Sequence, residues 1–364
     1  MLVIGLLLLT GAVRQLLKRG FRPNLIWSGA AFGAALLGLG YLLEFDRVSR
    51  LFPVQWSTWL ECTGIMEVVG LLMAAVVLGV ARSTPIFDVK RRAFLGKAGA
   101  TLCIAPAAAT VFGIVKRNQF RVSEVKIPIP KLAKDLDGLK LVQITDIHLS
   151  PFLSEGEFAR AIDMANETRA HLALVTGDLI SRRGDPLDAC LRQLARLRAE
   201  SGVLGCLGNH EVYTGTEDYV SSEGRRIGID FLRGEARVRQ FGAARINFAG
   251  VDYQRFGRPY LAGAGQLVQP GMPNILLSHN PDVFPVAANQ GFDLTIAGHT
   301  HGGQVNVEIL HQHLNVARYY TRYVMGLYSK ENSSVYVSSG LGTVGVPVRL
   351  GAPPEVSLLT LCAT

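Results

Sequence analysis

Apolar and polar positions follow two different patterns on either side of residue 120. Before it come long apolar runs: Leu25 to Leu43 without a charge, Leu60 to Ala81 containing Glu61 and Glu67, and the Ala- and Gly-rich stretch Ala98 to Val115. A helix needs roughly 20 apolar residues to cross the hydrocarbon core of a bilayer. These runs predict a helical membrane segment of three to four spans over residues 1–119. The opening run Met1 to Val13 is ambiguous in length, because Arg14 interrupts it. Glu67, a charge inside a span, is expected to pair within the helix bundle. After Phe120 the apolar runs shorten and alternate with polar stretches. Val122 to Ile129 reads as an edge strand, ended by Pro128 and Pro130. Further strands are predicted at Leu139–Ile144, Leu172–Thr176, Val203–Leu207, Ile246–Val251, Asn274–Leu277, Leu294–Ala297, Val335–Val337 and Val356–Leu361. Helical patterns fall at Phe158–Thr168 and Leu187–Glu200. Strands alternating with helices predict one α/β unit over residues 120–364, with stacked sheets and flanking helices.

Charge sharpens the division. Residues 1–126 hold 15 Lys and Arg against 6 Asp and Glu, and the remainder holds 22 against 23. The excess positive charge thus lies among the apolar runs, which indicates a membrane, and the near-neutral remainder offers no basic stripe for a long nucleic acid. Arg14, Lys18, Arg19 and Arg22 flank one run, and Lys90, Arg91, Arg92 and Lys97 flank another. Positive loops remain in the cytoplasm, which predicts a multi-pass protein of a bacterial inner membrane with residues 120–364 on the periplasmic or extracellular side. Lys116, Arg117 and Arg121 weigh against that side. The stretch Lys90-Arg91-Arg92-Ala93-Phe94-Leu95 is similar to a twin-arginine export signal, except that Lys90 stands where Ser or Thr is usual, and it reads equally as an ordinary helix flank. The five cysteines show no CxxC spacing and read as small buried hydrophobes.

The chemistry falls at the strand ends, where open α/β sheets form their sites. In order come Asp146-Ile147-His148, Gly177-Asp178, Gly208-Asn209-His210-Glu211, Ser278-His279-Asn280 and Gly298-His299-Thr300-His301. Five of the eight histidines lie in these motifs. Imidazole with carboxylate suits two divalent ions, Mn, Fe or Zn, that share a carboxylate. Asp178 is the natural bridge. Asp146, His148 and His301 complete one metal; Asn209, His279 and His299 complete the other. Glu211 reads as structural, as does His171. His311 and His313 read as solvent-exposed, and Asp282 as a helix cap. Arg349 is a candidate phosphate contact, whereas Arg182 and Arg183 read as surface residues.

The set resembles the calcineurin-like metallophosphoesterase superfamily, whose pattern is D-x-H, GD, GNH[DE], H and GHxH. The resemblance covers residues 138–362, and Gly340-Leu341-Gly342-Thr343, Pro347-Val348-Arg349 and Pro354-Glu355 are similar to its membrane-anchored or exported bacterial branch. It implies a four-layer α/β/β/α sandwich with the metals at the sheet edge. It also implies a hydroxide nucleophile, with His210 stabilising the transition state or protonating the leaving group, and Asp146 orienting His210. The expected reaction is phosphodiester or pyrophosphate hydrolysis on a phosphoester that is lipid-linked. Related enzymes cleave UDP-2,3-diacylglucosamine in lipid A biosynthesis, but that chemistry is cytoplasmic and the loop charges point outward. Two other readings stand beside it: a nucleotidase or nuclease using the same site, and a non-enzymatic metal-binding scaffold.

Overall fold

Side chains alternate faces along a strand, and in this chain both faces of the central strands are apolar. In Leu141-Val142-Gln143-Ile144, for example, all four residues are buried. Such strands must be covered on both sides. The computed structural model describes residues 2–18, 22–43, scattered positions between 56 and 75, 108–255, 260–309 and 312–364. The chain divides into two compact units, Met1–Ile114 with Gly345–Pro347, and Val115–Val344 with Val348–Thr364.

In the first unit, α1 (Leu2–Lys18) and α2 (Pro23–Leu43) pack together, with Gly5 lying beneath the Leu37 side chain. Pro23 opens α2, where its missing N–H costs nothing. Pro23–Leu42 is long and apolar enough to cross a membrane. The ambiguous opening run is part of α1, which continues through Arg14 on the good helix formers Gln15, Leu16 and Leu17. Glu67 lies against Gly33 of α2 and is half-buried. Most of the Leu60–Ala81 run, the Lys90-Arg91-Arg92 stretch and residues 98–107 fall outside the described residues; residues 108–116 are helical.

The second unit holds two six-stranded sheets. The first contains β1 (Arg121–Ile129), β2 (Lys140–Ile144), β3 (Leu172–Thr176), β4 (Val203–Cys206), β5 (Ile229–Phe231) and β14 (Glu355–Ala363), in the order β1-β14-β2-β3-β4-β5. The second contains β6 (Glu235–Phe241), β7 (Ala244–Gly250), β8 (Asn274–Leu277), β9 (Leu294–Ala297), β12 (Gly326–Lys330) and β13 (Ser333–Val337), in the order β12-β13-β9-β8-β7-β6. A hairpin of β10 (Asn306–Ile309) and β11 (Gln312–Asn315) stands apart. In the first sheet β2 to β5 run parallel, as do β7, β8, β9 and β13 in the second.

Leu141, Leu172, Leu174 and Leu204 of the first sheet meet Ile246, Phe248, Ile275, Leu277 and Ile296 of the second in one apolar layer. The alternate residues Val142, Ile144, Ala173 and Val175 turn outward to α3 (Glu155–Glu167) and α4 (Leu187–Leu194), against Phe158, Ile162, Cys190 and Leu194. The outer face of the second sheet packs on α7 (Phe284–Gln290) through Phe284 and Ala287. The result is the expected α/β/β/α order. Two further helices, α5 (Asn209–Thr214) and α6 (Glu217–Arg226), follow β4.

Helix α3 starts with a full capping box, Ser154 and Glu157 exchanging side-chain and backbone bonds. Helix α4 ends six residues short of the expected Glu200. The Asn166 amide clamps the chain there, donating to Arg196 O and accepting from Arg198 N, and so turns Leu197 into the core. Asn280, rather than Asp282, caps the turn after β8, accepting from Asp282 N at 2.9 Å, while Asp282 accepts from Thr321 Oγ1.

Phe158 is fully buried between α3 and the first sheet. Phe158→Ala is expected to cost about 3–5 kcal/mol, read as a lowered denaturation midpoint with an unchanged slope.

Candidate metal centre

The loops after β2, β3, β4, β8 and β9 converge at the C-terminal ends of the parallel strands. There Asp146, His148, Asp178, His299 and His301 adopt left-handed backbone conformations, with φ of 50°, 47°, 58°, 76° and 53°. Each costs an L-residue about 1 kcal/mol or more, so the surroundings must hold them. Asp146 N donates to Gly177 O and His148 N to Asp178 O; Leu341 N and Gly342 N donate to Thr145 O and Asp146 O. Residues 145–149 are thereby gripped between the loop after β3 and the 340–342 loop. Gly340 has to be glycine: its φ is 68°, and a Cβ there would meet Asp146 Cβ at 2.5 Å.

Glu211 holds the same region from beneath. It is fully buried, and its carboxylate accepts from the backbone N–H of Asp178 at 2.9 Å, Leu179 at 2.8 Å and Gly208 at 2.7 Å. Burial, with Asp178 nearby, pushes its pKa up. The expected structural role of Glu211 is thus to fix the backbone of the residue at the middle of the site.

Two groups of donor atoms result. Asp146, His148, Asp178 and His301 form one, and Asp178, His279 and His299 the other; within each, the ligand atoms lie within 4.8 Å of one another. Asp178 belongs to both. Asn209 begins α5 and is buried, with Oδ1 lacking a hydrogen-bond partner among the described residues.

The lone pairs test whether the site fits a metal. His279 Nδ1 is 2.6 Å from Thr176 O, so Nδ1 carries the proton and donates it there. The other nitrogen, Nε2, then aims a lone pair at Asp178 Oδ2 from 3.0 Å. His148 repeats the arrangement, with Nδ1 bonded to Ser181 Oγ at 3.1 Å and Nε2 3.4 Å from the same Asp178 oxygen. Acceptors facing one another in a buried space require a cation. Spacings near 3 Å suit donors sharing an ion at about 2.1 Å. Without a metal ion, a proton on His279 Nε2 serves as that cation. Burial opposes charge on His279, yet Asp178 and Asp146 push its pKa up to about 10. Burial also opposes charge on Asp178, but His279 and His148 hold it well below the usual carboxylate range. Burial and His279 lower His299 to about 4, and burial and His148 hold His301 well below the usual imidazole range. The donor set fits divalent metal.

His210 stands beside this cluster, 4.6 Å from His148 between ring centroids and edge-on. Its backbone N–H donates to Asp178 Oδ1 at 2.9 Å, and its ring Nδ1 donates to Ser181 O at 2.6 Å. The carbonyl of Ser181, rather than Asp146, therefore orients the ring. Asp146 is occupied elsewhere, accepting from His299 N at 3.0 Å and from Thr145 Oγ1 at 2.9 Å. The turn that carries Ser181 is tied by Asp185, whose Oδ2 accepts from Ser181 N and Arg182 N. Burial pushes Asp185 up to about 6. Ser181 and Asp185 do not stand out in the residue pattern. Their only signal is position, a polar turn directly after Gly177-Asp178.

Arg349 is not a phosphate contact. It is 2% exposed and donates to the carbonyls of Ser339, Gly340, Gly342 and Ala352, stitching the loop that covers Asp146. Arg183 donates to Thr214 O, and His171 Nδ1 accepts from Lys140 N, a structural role as expected. His311 lies outside the described residues, and His313 is on β11.

Glu211→Gln leaves one acceptor oxygen where three N–H groups need two. Because groups that hold a ligand in place tune metal affinity, binding is expected to weaken about 10–100-fold, read by calorimetric titration with Mn²⁺.

The model of the calcineurin-like phosphoesterase family matches residues 139–303. Two vertebrate relatives, each named transmembrane protein with metallophosphoesterase domain, are similar to the chain. That from Danio rerio is 30% identical over 274 residues, 71% of this chain and 61% of its own length. That from Bos taurus is 31% identical over 259 residues, 66% of this chain and 57% of its own length. The chain thus spans under two thirds of either relative. A metallophosphoesterase of Aquifex aeolicus is 30% identical over 251 residues, which make up 66% of this chain and 91% of the relative. On this match, and on the motif residues gathered around Asp178, the chain belongs to the calcineurin-like metallophosphoesterase family.

Proposed function

We propose that the chain is a two-metal phosphoester hydrolase anchored in a membrane. The observation that carries the reading is the pair of donor groups sharing Asp178, with His210 fixed beside them. Asp146, His148, Asp178 and His301 would hold one divalent ion; Asp178, Asn209, His279 and His299 would hold the other. When bound, such a pair supplies Lewis acidity, giving a nucleophile at neutral pH and neutralising phosphate charge.

The chain's own residues do the rest. His210, with Nδ1 committed to Ser181 O, keeps Nε2 as the atom available to substrate. As imidazolium, Nε2 would donate its proton to the leaving alkoxide and balance the charge that develops on the phosphoryl oxygens. The Asp185 turn keeps that ring from rotating.

A diester or pyrophosphate is the favoured substrate, and a lipid-linked one such as UDP-2,3-diacylglucosamine is the specific candidate. The apolar α2 helix and the names of the vertebrate relatives support a bilayer partner. The basic flanks of the apolar runs support a multi-pass bacterial inner-membrane protein with its catalytic unit outside.

His210→Ala is expected to lower kcat on an aryl phosphodiester about 10²–10⁴-fold with metal content unchanged. Asp178→Asn should abolish both turnover and stoichiometric Mn²⁺ binding. Turnover that survives Asp178→Asn would overturn the two-metal reading. For the topology, alkaline phosphatase fused after Thr364 should be active in intact cells and a fluorescent protein at the same position dark; the reverse places the domain in the cytoplasm.

A further inference from the structure

Between the hairpin β10–β11 and strand β12 runs the segment Asn315-Val316-Ala317-Arg318-Tyr319-Tyr320-Thr321-Arg322-Tyr323. Its two ends are built into the site. Asn315 is buried; its Nδ2 donates to Gly302 O at 2.9 Å, beside the ligand candidate His301, and its Oδ1 accepts from Ala317 N. At the other end Thr321 Oγ1 donates to Asp282 Oδ1, just beyond His279, and Tyr323 packs edge-on against Phe284 and Tyr328. The middle does the opposite. Val316 is 63% exposed, Tyr319 85% and Tyr320 82%. Arg318 and Arg322 are exposed, and among the described residues neither has an ion-pair partner. The stretch contains no carboxylate.

The core leaves these side chains no role. A segment anchored this firmly need not expose two neighbouring aromatic rings to water, since Tyr323, three residues after Tyr320, is packed. Tyr side chains have an apolar body and a polar tip, which suits the headgroup level of a bilayer. Unpaired arginines suit the phosphates of an anionic leaflet, where guanidinium binds bidentately. The alternation of aromatic and basic residues, with no acidic residue to repel phosphate, fits such a surface on both counts.

We propose that residues 316–322 form a bilayer-docking loop. It seats Tyr319 and Tyr320 among lipid headgroups and pairs Arg318 and Arg322 with lipid phosphates. Because its ends are fixed to the loops carrying His279 and His301, docking sets the metal centre at a defined height above the lipid surface. The partner is an anionic membrane, and the proposal rests on the anchored reading above. A tether of this kind holds its own docking surface at high effective concentration, so two arginines and two tyrosines suffice for a stable contact.

The test uses the full chain in nanodiscs containing phosphatidylglycerol with brominated acyl chains. Tyr320→Trp adds a fluorophore at the loop, and Val238→Trp adds one on exposed strand β6 as the comparison. The emission added by Tyr320→Trp should be quenched by about half or more, as for a ring at headgroup depth, while that added by Val238→Trp stays unquenched. Combining Arg318→Glu with Arg322→Glu should restore the emission at position 320, as should purely zwitterionic lipid. Equal, weak quenching at both positions in chains that have inserted overturns the docking loop alone. Emission at position 320 that ignores bromolipid but shifts on adding an aryl phosphodiester also overturns it, and assigns the loop to substrate. A chain that stays outside the discs overturns the anchored reading and the docking loop with it.

Discussion

One buried carboxylate carries the geometry of the whole centre. Glu211 is fully buried, and three backbone N–H groups donate to its carboxylate. A carboxylate so placed cannot move without leaving buried donors unpaired, which costs about 1–3 kcal/mol each. It therefore fixes Asp178 in a left-handed conformation that the residue would not choose alone. Asp178 in turn accepts from His210 N and faces His148 and His279. Every other feature of the site is referenced to that one peptide.

Arg349 does from above what Glu211 does from below. Its guanidinium spends its donors on backbone carbonyls of residues 339–352. The loop so held lies against Asp146, close enough that Gly340 and Gly342 cannot carry a side chain. Strained ligands between two buried, oppositely charged clamps form a preorganised site, in which the cost of ordering the donors is met by folding. The same charge that looks catalytic in a sequence is here spent on backbone geometry.

The legibility of the chain follows from where information lies in a sheet. Strands buried on both faces, such as Leu172–Thr176, Asn274–Leu277 and Leu294–Ala297, read as unbroken apolar runs and were delimited to the residue. Among the edge strands, β1 was legible from its alternation and its prolines, whereas β6 was invisible. Strand β6 carries Glu235, Arg237 and Arg239, which are solvated or paired with Asp230, and so has no apolar signature. Helix α6 presents Val220, Ser221 and Gly224 to the core instead of an apolar stripe, with Gly224 needed because the Phe231 ring lies 2.6 Å from where a Cβ would be. The motif residues were legible as a set, since few other reasons gather Asp and His after successive strands. The contacts that orient them were not. Ser181 and Asp185 act through one carbonyl and one turn, and neither leaves a mark in residue type. For Arg349 the residue type misled, because guanidinium serves carbonyls as readily as phosphate.

The order of strands in the first sheet has a consequence for biogenesis. Strand β14, from the end of the sequence, lies between β1 and β2, pairing parallel with one and antiparallel with the other. Until residue 363 has left the ribosome, β1 has no neighbour and β2 keeps one bare edge. Each is a template for the wrong chain, and the pairing that heals them spans over two hundred residues, which is slow to find. The first sheet cannot close before β14 has emerged. A chain built this way completes its catalytic layer only when β14 arrives, and whatever compartment houses it must either receive that layer finished or protect the gap until then.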